Sequence, residues 1–345
     1  MTTDKANLGG RDISLDILKG ILTFLIITTH MVSFFPFQPM TYASATLTNI
    51  YVAFVCLTAF SSFMLILGYM CFKAYISKSL PKVVLGRKML KSFVKTMLSY
   101  YASALAYVFF IRRDLTAAVF KDILLLRYVV EYSEFILSFA FIYVLVFFFD
   151  RLLWKLTGPA WAVLSVLSLL STFFPYGSVK EPLLAVFTGS TIFSSFSIFQ
   201  YFCYFITGIY FAKSKMGFNK WLMLISAAGT AGFVGWRLIF HDYPSRFPPS
   251  LLWIAGGMLF VYCGFLLCRH IPVNPLTKLL AVMGKDSLYY MLFSNIVLFA
   301  LRKYSFDLQF NPQGLALIVF YIFAFALCAA AAYGYTRLLA HLKKA

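Results

Sequence analysis

The sequence predicts an all-α integral membrane protein that crosses the bilayer about ten times, with both ends on the cytoplasmic side. Of its 345 residues, 61% are hydrophobic and 12% are charged, and the mean hydropathy is +0.83. Soluble globular chains are much less apolar, so lipid is expected to be the main solvent of this one. Backbone amides in lipid must be paired within the chain, and the apolar stretches lack the alternation of barrel strands, so they indicate helices.

Ten stretches of about twenty apolar residues are long enough to span the hydrocarbon core as helices. They lie near 13–35, 47–72, 93–111, 132–149, 159–175, 194–212, 220–240, 249–268, 286–304 and 314–340. The first is too long for a signal-peptide core and has no small-residue cleavage site after it, so we expect a retained helix. We find no internal repeat or change in composition, so residues 1–345 are expected to form one membrane domain without a soluble domain.

Basic residues predict the side of the membrane on which each connection lies. The segment between the second and third spans has seven of them and no acidic residue, which indicates the cytoplasmic side: Lys73, Lys78, Lys82, Arg87, Lys88, Lys91 and Lys95. Counting outward from it places thirteen more on that side: Lys5, Arg11, Arg151, Lys155, Lys213, Lys215, Lys220, Arg269, Lys278, Lys285, Arg337, Lys343 and Lys344. Because these charges lie beside apolar spans, the net charge of +18 favours contact with anionic lipid over nucleic acid.

The longest connections on the opposite side lie near 112–131 and 241–248. Basic residues alternate with apolar ones in the first of these, which fits an interfacial helix as well as a plain loop. The six cysteines all fall in apolar segments and lack the spacing of metal ligands, so we expect packing roles and no metal site.

Three ionisable side chains lie inside the first span, where charge is costly and each is a functional candidate: Asp16, Lys19 and His30. Lys19 and His30 are eleven residues apart, about 16 Å of helical rise and close to three turns, so they share one face. A cation at the cytoplasmic end suits phosphate, and an imidazole in the outer half suits proton transfer. The structural alternative is that Lys19 reaches the interface, Asp16 pairs with it, and His30 bonds to a neighbouring helix.

Six motifs then occur in order along the chain. They are LDILKG at 15–20 followed by His30, FMLILGY at 63–69, Arg87 with Lys91, YFITGIY at 204–210, RFPPS at 246–250 and GKDSLY at 284–289. In this order, over most of its length, the sequence resembles the acyltransferase-3 family of integral membrane acyltransferases. The signature of that family is a basic residue and a histidine separated by ten positions, which Lys19 and His30 match.

Two positions depart from the family pattern. The second-span segment of the family often reads Ser-Gly where this chain has Leu67-Gly68, and we interpret this as a packing change. A late span of the family commonly ends in a histidine where this chain has Phe293-Ser294-Asn295. The second departure leaves His30 as the main acid–base candidate.

The resemblance implies that an acyl group moves from cytoplasmic acyl-CoA to a hydroxyl of a glycan on the outer side. Acetyl-CoA is the expected donor because acetyl is the commonest acyl group in the family. Lys19, Arg87 and Lys91 would contact CoA phosphates, although ordinary cytoplasmic loop charge explains Arg87 and Lys91 equally well. His30 would act as a general base or as a transient acyl carrier, and Asp16 would belong to the catalytic group by orienting Lys19 or the site.

Candidates for contact with the acceptor lie in the outer segment before the double proline. They are His241, Asp242 and Arg246, since loops on a rigid scaffold often position binding groups, and a solvated loop is the alternative. Some family members carry a further hydrolase-like domain, whereas this chain stops at Ala345. The acceptor is therefore expected to meet the membrane domain itself or a partner protein.

These expectations together describe a multi-pass O-acetyltransferase of the bacterial inner membrane that modifies a surface or exported polysaccharide. Expected partners are membrane lipid, acyl-CoA and the glycan, with glycan-assembly proteins or a second copy of the chain as further candidates. A transporter or flippase for a glycan or lipid-linked sugar is the alternative from another class, although transporters often have internal repeats. A third alternative is a non-catalytic membrane component of a glycan export complex.

Cysteines introduced near Ser245 and Lys180, in a background without the native cysteines, are expected to react with a membrane-impermeant thiol reagent from outside. Counting of basic residues assigns both positions to outer connections. Cysteines near Lys82 and Lys215 are expected to react only after the membrane is permeabilised. Labelling of intact and permeabilised cells makes the comparison, and the reverse pattern would contradict a donor site that faces the cytoplasm.

Overall fold

The computed structural model describes residues 12–36, 42–193 and 195–342, and no strand occurs among them. The helices are α1 (Ile13–Phe34), α2 (Tyr42–Ala74), α3 (Lys82–Tyr107), α4 (Ala117–Leu124), α5 (Glu134–Trp154), α6 (Gly158–Leu170), α7 (Pro182–Thr188), α8 (Ile198–Ser214), α9 (Lys220–Phe240), α10 (Leu251–Gly256), α11 (Met258–Leu267), α12 (Pro275–Lys285), α13 (Ser287–Asp307) and α14 (Gly314–Leu342). A π-helical turn continues α3, and short 3-10 turns join several of the others. The expectation of an all-α membrane protein is confirmed for the described residues.

Within the described ranges, seven helical segments are long and apolar enough to cross a membrane by length and composition. They are Ile13–Phe34, Ala45–Lys78, Lys82–Arg112, Glu134–Trp154, Lys220–Phe240, Leu251–His270 and Gly314–Leu342. The other three predicted spans coincide with α6, α8 and α13. The number of about ten crossings and the cytoplasmic position of both ends stay predictions. Four basic residues used to assign the sides lie outside the described residues: Lys5, Arg11, Lys343 and Lys344.

The segment predicted as a basic connection is largely helical, because α3 begins at Lys82 rather than near residue 93. That boundary prediction was wrong because it followed hydropathy alone. Lysine and arginine are good helix formers, and their apolar stems extend along a membrane surface while the charged ends stay in water. Lys82 forms an ion pair with Asp150 of α5, so the start of α3 is also tied to a neighbouring helix.

The segment near 112–131, predicted to lie on the outer side, contains one short helix, α4, within a longer irregular connection. Thr116 caps its start by accepting a hydrogen bond from the amide of Val119 at 3.3 Å. Ile123 is buried, whereas Phe120 and Leu124 are exposed. The sequence left open a helix or a plain loop for this segment, and the structure has a short helix within a loop.

In the described part of the chain, two pairs of helices pack backbone against backbone with a glycine on each helix of the pair. A Cβ atom added at Gly68 of α2 would overlap the carbonyl oxygen of Phe205, and one added at Gly208 of α8 would overlap that of Leu65. The second pair is α1 with α12. There, Gly20 faces the backbone of Leu280, and Gly284 faces the backbone of Asp16.

Small residues allow such close approach, which drives helix association where lipid removes the hydrophobic driving force. All four glycines belong to the family-like motifs of the sequence. The motifs at 15–20, 63–69, 204–210 and 284–289 are therefore packing elements of the bundle, and they determine how α1 and α2 face their neighbours.

Gly208→Ala is expected to destabilise the protein by about 1–3 kcal/mol, because the added methyl group forces α2 and α8 apart. Gly235→Ala on α9 is the matched control, since nothing lies within 4 Å of a Cβ atom there. Alanine is favoured over glycine inside a helix by roughly 1 kcal/mol, so the control should be as stable as the wild type or more stable. Thermal unfolding in one detergent measures both variants, and equal melting temperatures would contradict the backbone contact.

Candidate active site

Among the described residues, two cavities have side chains of α1 in their lining. The first, here called the histidine cavity, has a volume of about 460 Å³ and includes His30 in its lining. The second, here called the lysine cavity, has a volume of about 290 Å³ and includes Lys19. Phe63 of α2 and Phe139 of α5 line both cavities, so the cavities meet at these two rings.

His30 is hydrogen-bonded to a side chain from the far end of the sequence and packs against the ring of Tyr132, with centroids 5.0 Å apart. Its Nδ1 lies 3.2 Å from Oδ1 of Asn295 on α13. The amide Nδ2 of Asn295 donates to Ser103 Oγ at 2.9 Å and to the carbonyl oxygen of Tyr132 at 3.0 Å, so Oδ1 is the atom that faces the imidazole. Because an amide oxygen only accepts, Nδ1 carries the proton and donates it. Nε2 is therefore the ring nitrogen that can take up a proton.

The histidine cavity also contains two carboxylates and a guanidinium group. Glu134 begins α5 and accepts a hydrogen bond from Ser195 Oγ at 2.8 Å, and Glu131 lies three residues earlier in the preceding connection. The guanidinium of Arg246 lies 4.3 Å from the ring centroid of Phe247, and its Nε is buried without a hydrogen-bond partner. A buried donor of this kind is available to a bound molecule. The cavity thus offers both donors and acceptors to a polyhydroxyl compound.

The lysine cavity brings together cations from three helices. Lys19 comes from α1, Lys95 from α3 and Lys285 from the end of α12. Asp286 is the one acidic residue among the described residues that line it, so the lining carries a positive charge. The Nζ of Lys95 lies 4.3 Å from the ring centroid of Tyr289. Several lysines in the lining of one cavity are typical of a site for phosphate or another anion.

A family model described as an acyltransferase domain matches residues 12–337, nearly the whole chain. The chain belongs to the acyltransferase-3 family. The resemblance found in the sequence is thereby confirmed, and the protein is a membrane acyltransferase. Neither a curated protein nor a solved structure matches it.

Asn295 has a structural role in this acyltransferase that the sequence did not reveal. The position was noticed only because the family commonly has a histidine there. An amide oxygen can accept the Nδ1 proton of His30, so Asn295 orients the imidazole without being an acid or a base itself. In the sequence, only the departure from the family pattern marked position 295 as unusual. The hydrogen bond to His30 on another helix shows what Asn295 does.

The three predicted acceptor contacts lie together. His241, Asp242 and Arg246 line a third cavity of about 550 Å³, here called the loop cavity. Arg246 and Val52 line both the loop cavity and the histidine cavity, so these two cavities meet as well. His241 and Asp242 are exposed, and their contact with an acceptor stays a prediction.

The predicted phosphate contacts on α3 are less enclosed than Lys19. Arg87 and Lys91 are exposed and are not among the described residues that line the lysine cavity. Spacing by four residues places them on one helical face with Lys95, which does line it. They therefore extend the positive charge of the cavity toward the start of α3. The sequence had assigned Lys95 and Lys285 to topology alone, since their convergence depends on packing.

Asp16 is buried and forms an ion pair with Lys19, with 2.8 Å between Oδ1 and Nζ. It is not among the described residues that line the histidine or the lysine cavity. Fourteen residues of helix separate it from His30, which corresponds to about 21 Å of rise. The geometry therefore favours a positioning role on Lys19 over a role at the reacting atoms.

No three His, Cys, Asp or Glu side chains among the described residues come together as a metal site. The six cysteines, all within the described part of the chain, are free thiols.

Proposed function

We propose that this acyltransferase transfers an acyl group, most simply acetyl, from cytoplasmic acyl-CoA to a hydroxyl group of an extracytoplasmic glycan. One observation supports the proposal above all others. The lysine, histidine and loop cavities follow one another, each sharing two lining residues with the next. A donor and an acceptor that enter from opposite sides would meet in the histidine cavity, beside His30.

The lysine cavity suits the donor. The ammonium groups of Lys19, Lys95 and Lys285 would form charge-assisted hydrogen bonds with CoA phosphates, and Arg87 and Lys91 would attract them along α3. About 16 Å of helical rise separates Lys19 from His30, which is comparable to the reach of an extended pantetheine arm. Phosphates held near Lys19 would therefore allow the thioester to reach the imidazole.

The proposed chemistry uses His30 as a general base. Nε2 takes the proton of the acceptor hydroxyl while the hydroxyl oxygen attacks the thioester carbonyl carbon. The carbon–sulfur bond then breaks, and the departing CoA thiolate takes the proton back from the imidazolium. The products are an ester of the glycan and CoA thiol. Asn295 keeps Nδ1 protonated throughout, so the reactive nitrogen stays the same.

The acceptor would bind in the loop and histidine cavities. Arg246 lies where these cavities meet, and its unpartnered Nε can donate to a sugar oxygen. Glu131, Glu134 and Ser195 provide acceptors for sugar hydroxyls in the same cavity. In this proposal, His241 and Asp242 lie where the glycan enters the loop cavity. An extended glycan chain would then reach from the loop cavity into the histidine cavity.

The proposed location is the bacterial inner membrane, where cytoplasmic acyl-CoA and an exported glycan are separated by one bilayer. Glycan-assembly proteins or a second copy of the chain are the proposed partners. The function is tested by incubating the purified protein with labelled acetyl-CoA and extracted glycan. Label on the glycan supports acyl transfer. Movement of glycan across a vesicle membrane without labelling would instead favour the transporter alternative.

Lys19→Ala and Arg87→Ala are each expected to weaken acetyl-CoA binding roughly ten- to a hundredfold. Each removes a charge-assisted contact with phosphate worth about 1.5–3 kcal/mol. Lys220→Ala is the control, because Lys220 is an exposed lysine at the start of α9 and is not among the described residues that line the lysine cavity. Titration calorimetry measures the affinities, and unchanged affinity in both test variants would favour plain topological charge.

His30→Ala is expected to lower glycan acylation by about 10²–10⁴-fold while acetyl-CoA binding is retained, because only the proton transfer is lost. His30→Gln is the stricter control, since glutamine keeps hydrogen bonding at this position but takes up no proton at neutral pH. Initial rates and donor affinity are measured on the same folded samples. Near wild-type transfer by the glutamine variant would show that His30 is a structural hydrogen-bonding residue.

A further inference from the structure

We propose that Phe63 and Phe139 form a constriction that selects the acyl group, admitting small uncharged groups such as acetyl and excluding bulky or charged ones. The inference rests on the proposed function, in which acyl-CoA enters the lysine cavity and its thioester then reaches the histidine cavity. It concerns the one place where the lysine and histidine cavities share their lining.

The two rings are close together and well supported. Their centroids lie 6.1 Å apart, within the range of aromatic pairs, and both side chains are buried. Phe139 also stacks on Phe60 at 5.4 Å and packs against the edge of Phe135 at 6.0 Å. Phe60 and Phe135 belong to the histidine cavity, so the constriction is braced from that side. Several neighbours therefore hold the two rings in position, and a wide group could pass only by displacing them.

The position of the rings makes them a filter for the donor. The cations that suit phosphate lie on one side of the rings, and the imidazole that suits proton transfer lies on the other. A thioester that reaches His30 from the lysine cavity must carry its acyl group between Phe63 and Phe139. The acyl group therefore crosses the constriction first, and its width and polarity decide whether the thioester arrives.

The two exclusions have separate physical causes. An aromatic or branched acyl group needs a wider gap than two rings in contact provide, and cores resist such insertion. A terminal carboxylate, as in succinyl, would lose its hydration between two hydrocarbon rings that offer no hydrogen bond, which is costly. An acetyl group is neither wide nor charged, so it meets neither barrier.

Acyl transfer from acetyl-CoA, benzoyl-CoA and succinyl-CoA tests the selectivity. The wild type is expected to use acetyl-CoA and to discriminate strongly against the other two. Phe139→Ala should raise the benzoyl-to-acetyl ratio of kcat/KM at least about tenfold. Phe141→Ala is the matched control on the same helix, because Phe141 packs on Phe93 and Phe187 away from the described cavity linings. An unchanged ratio in Phe139→Ala, or comparable wild-type rates with succinyl-CoA and acetyl-CoA, would overturn the proposal.

A labelling experiment tests the constriction without acyl transfer. Ser92→Cys, in a background without native cysteines, places a thiol in the lysine cavity. A small charged methanethiosulfonate applied from the side of the loop cavity should leave it unreacted, and adding Phe139→Ala should raise its reaction rate at least about tenfold. Adding Phe141→Ala instead should have no effect. Equal rates in all three proteins would overturn the constriction.

Failure of the wild type to acylate glycan, with the labelling contrast intact, would contradict the proposed function alone.

Discussion

Contacts between helix backbones at glycines are the constraint on which the site depends. Lipid offers no hydrophobic driving force between helices, so α1 and α12 associate where Gly20 and Gly284 let their backbones touch. Each of these glycines is followed or preceded in the chain by a lysine of the lysine cavity, Lys19 or Lys285. The contact that holds the two helices together therefore also brings two cations to one place.

The second glycine pair has a similar effect on the path between the cavities. Gly68 and Gly208 hold α2 against α8, and Phe63 lies on α2 less than two turns before Gly68. Five residues correspond to about 140° of rotation around a helix, so Phe63 and Gly68 lie on different faces of α2, and the contact of Gly68 with α8 turns the face of Phe63 away from α8. The ring of Phe63 is thus presented to Phe139 by packing elsewhere on the helix. The glycine contact between α2 and α8 therefore also influences where Phe63 lies between the lysine and histidine cavities.

The polar groups of the interior are distributed according to their charge. Cations surround the lysine cavity, aromatic rings separate it from the histidine cavity, and the imidazole lies beyond them. Asn295 holds that imidazole and is itself held by Ser103 and the backbone of Tyr132, so its buried amide is fully engaged. A buried polar group left without partners would cost about 1–3 kcal/mol, and these bonds avoid that cost while fixing one tautomer of His30.

The sequence by itself determined the class of the fold, the positions of the apolar helices, the family and the shared face of Lys19 and His30. These follow from local properties, namely hydropathy, helical period and short motifs, which need no knowledge of neighbours. Tertiary structure alone decided that Asn295 holds His30 across 265 residues of chain, that Lys95 and Lys285 join Lys19, and that Phe63 meets Phe139. The physical reason is that α2, α5, α11 and α14 are apolar over most of their length, so hydropathy does not specify which of their faces meet. The packing of small residues and the satisfaction of buried polar groups specify them instead.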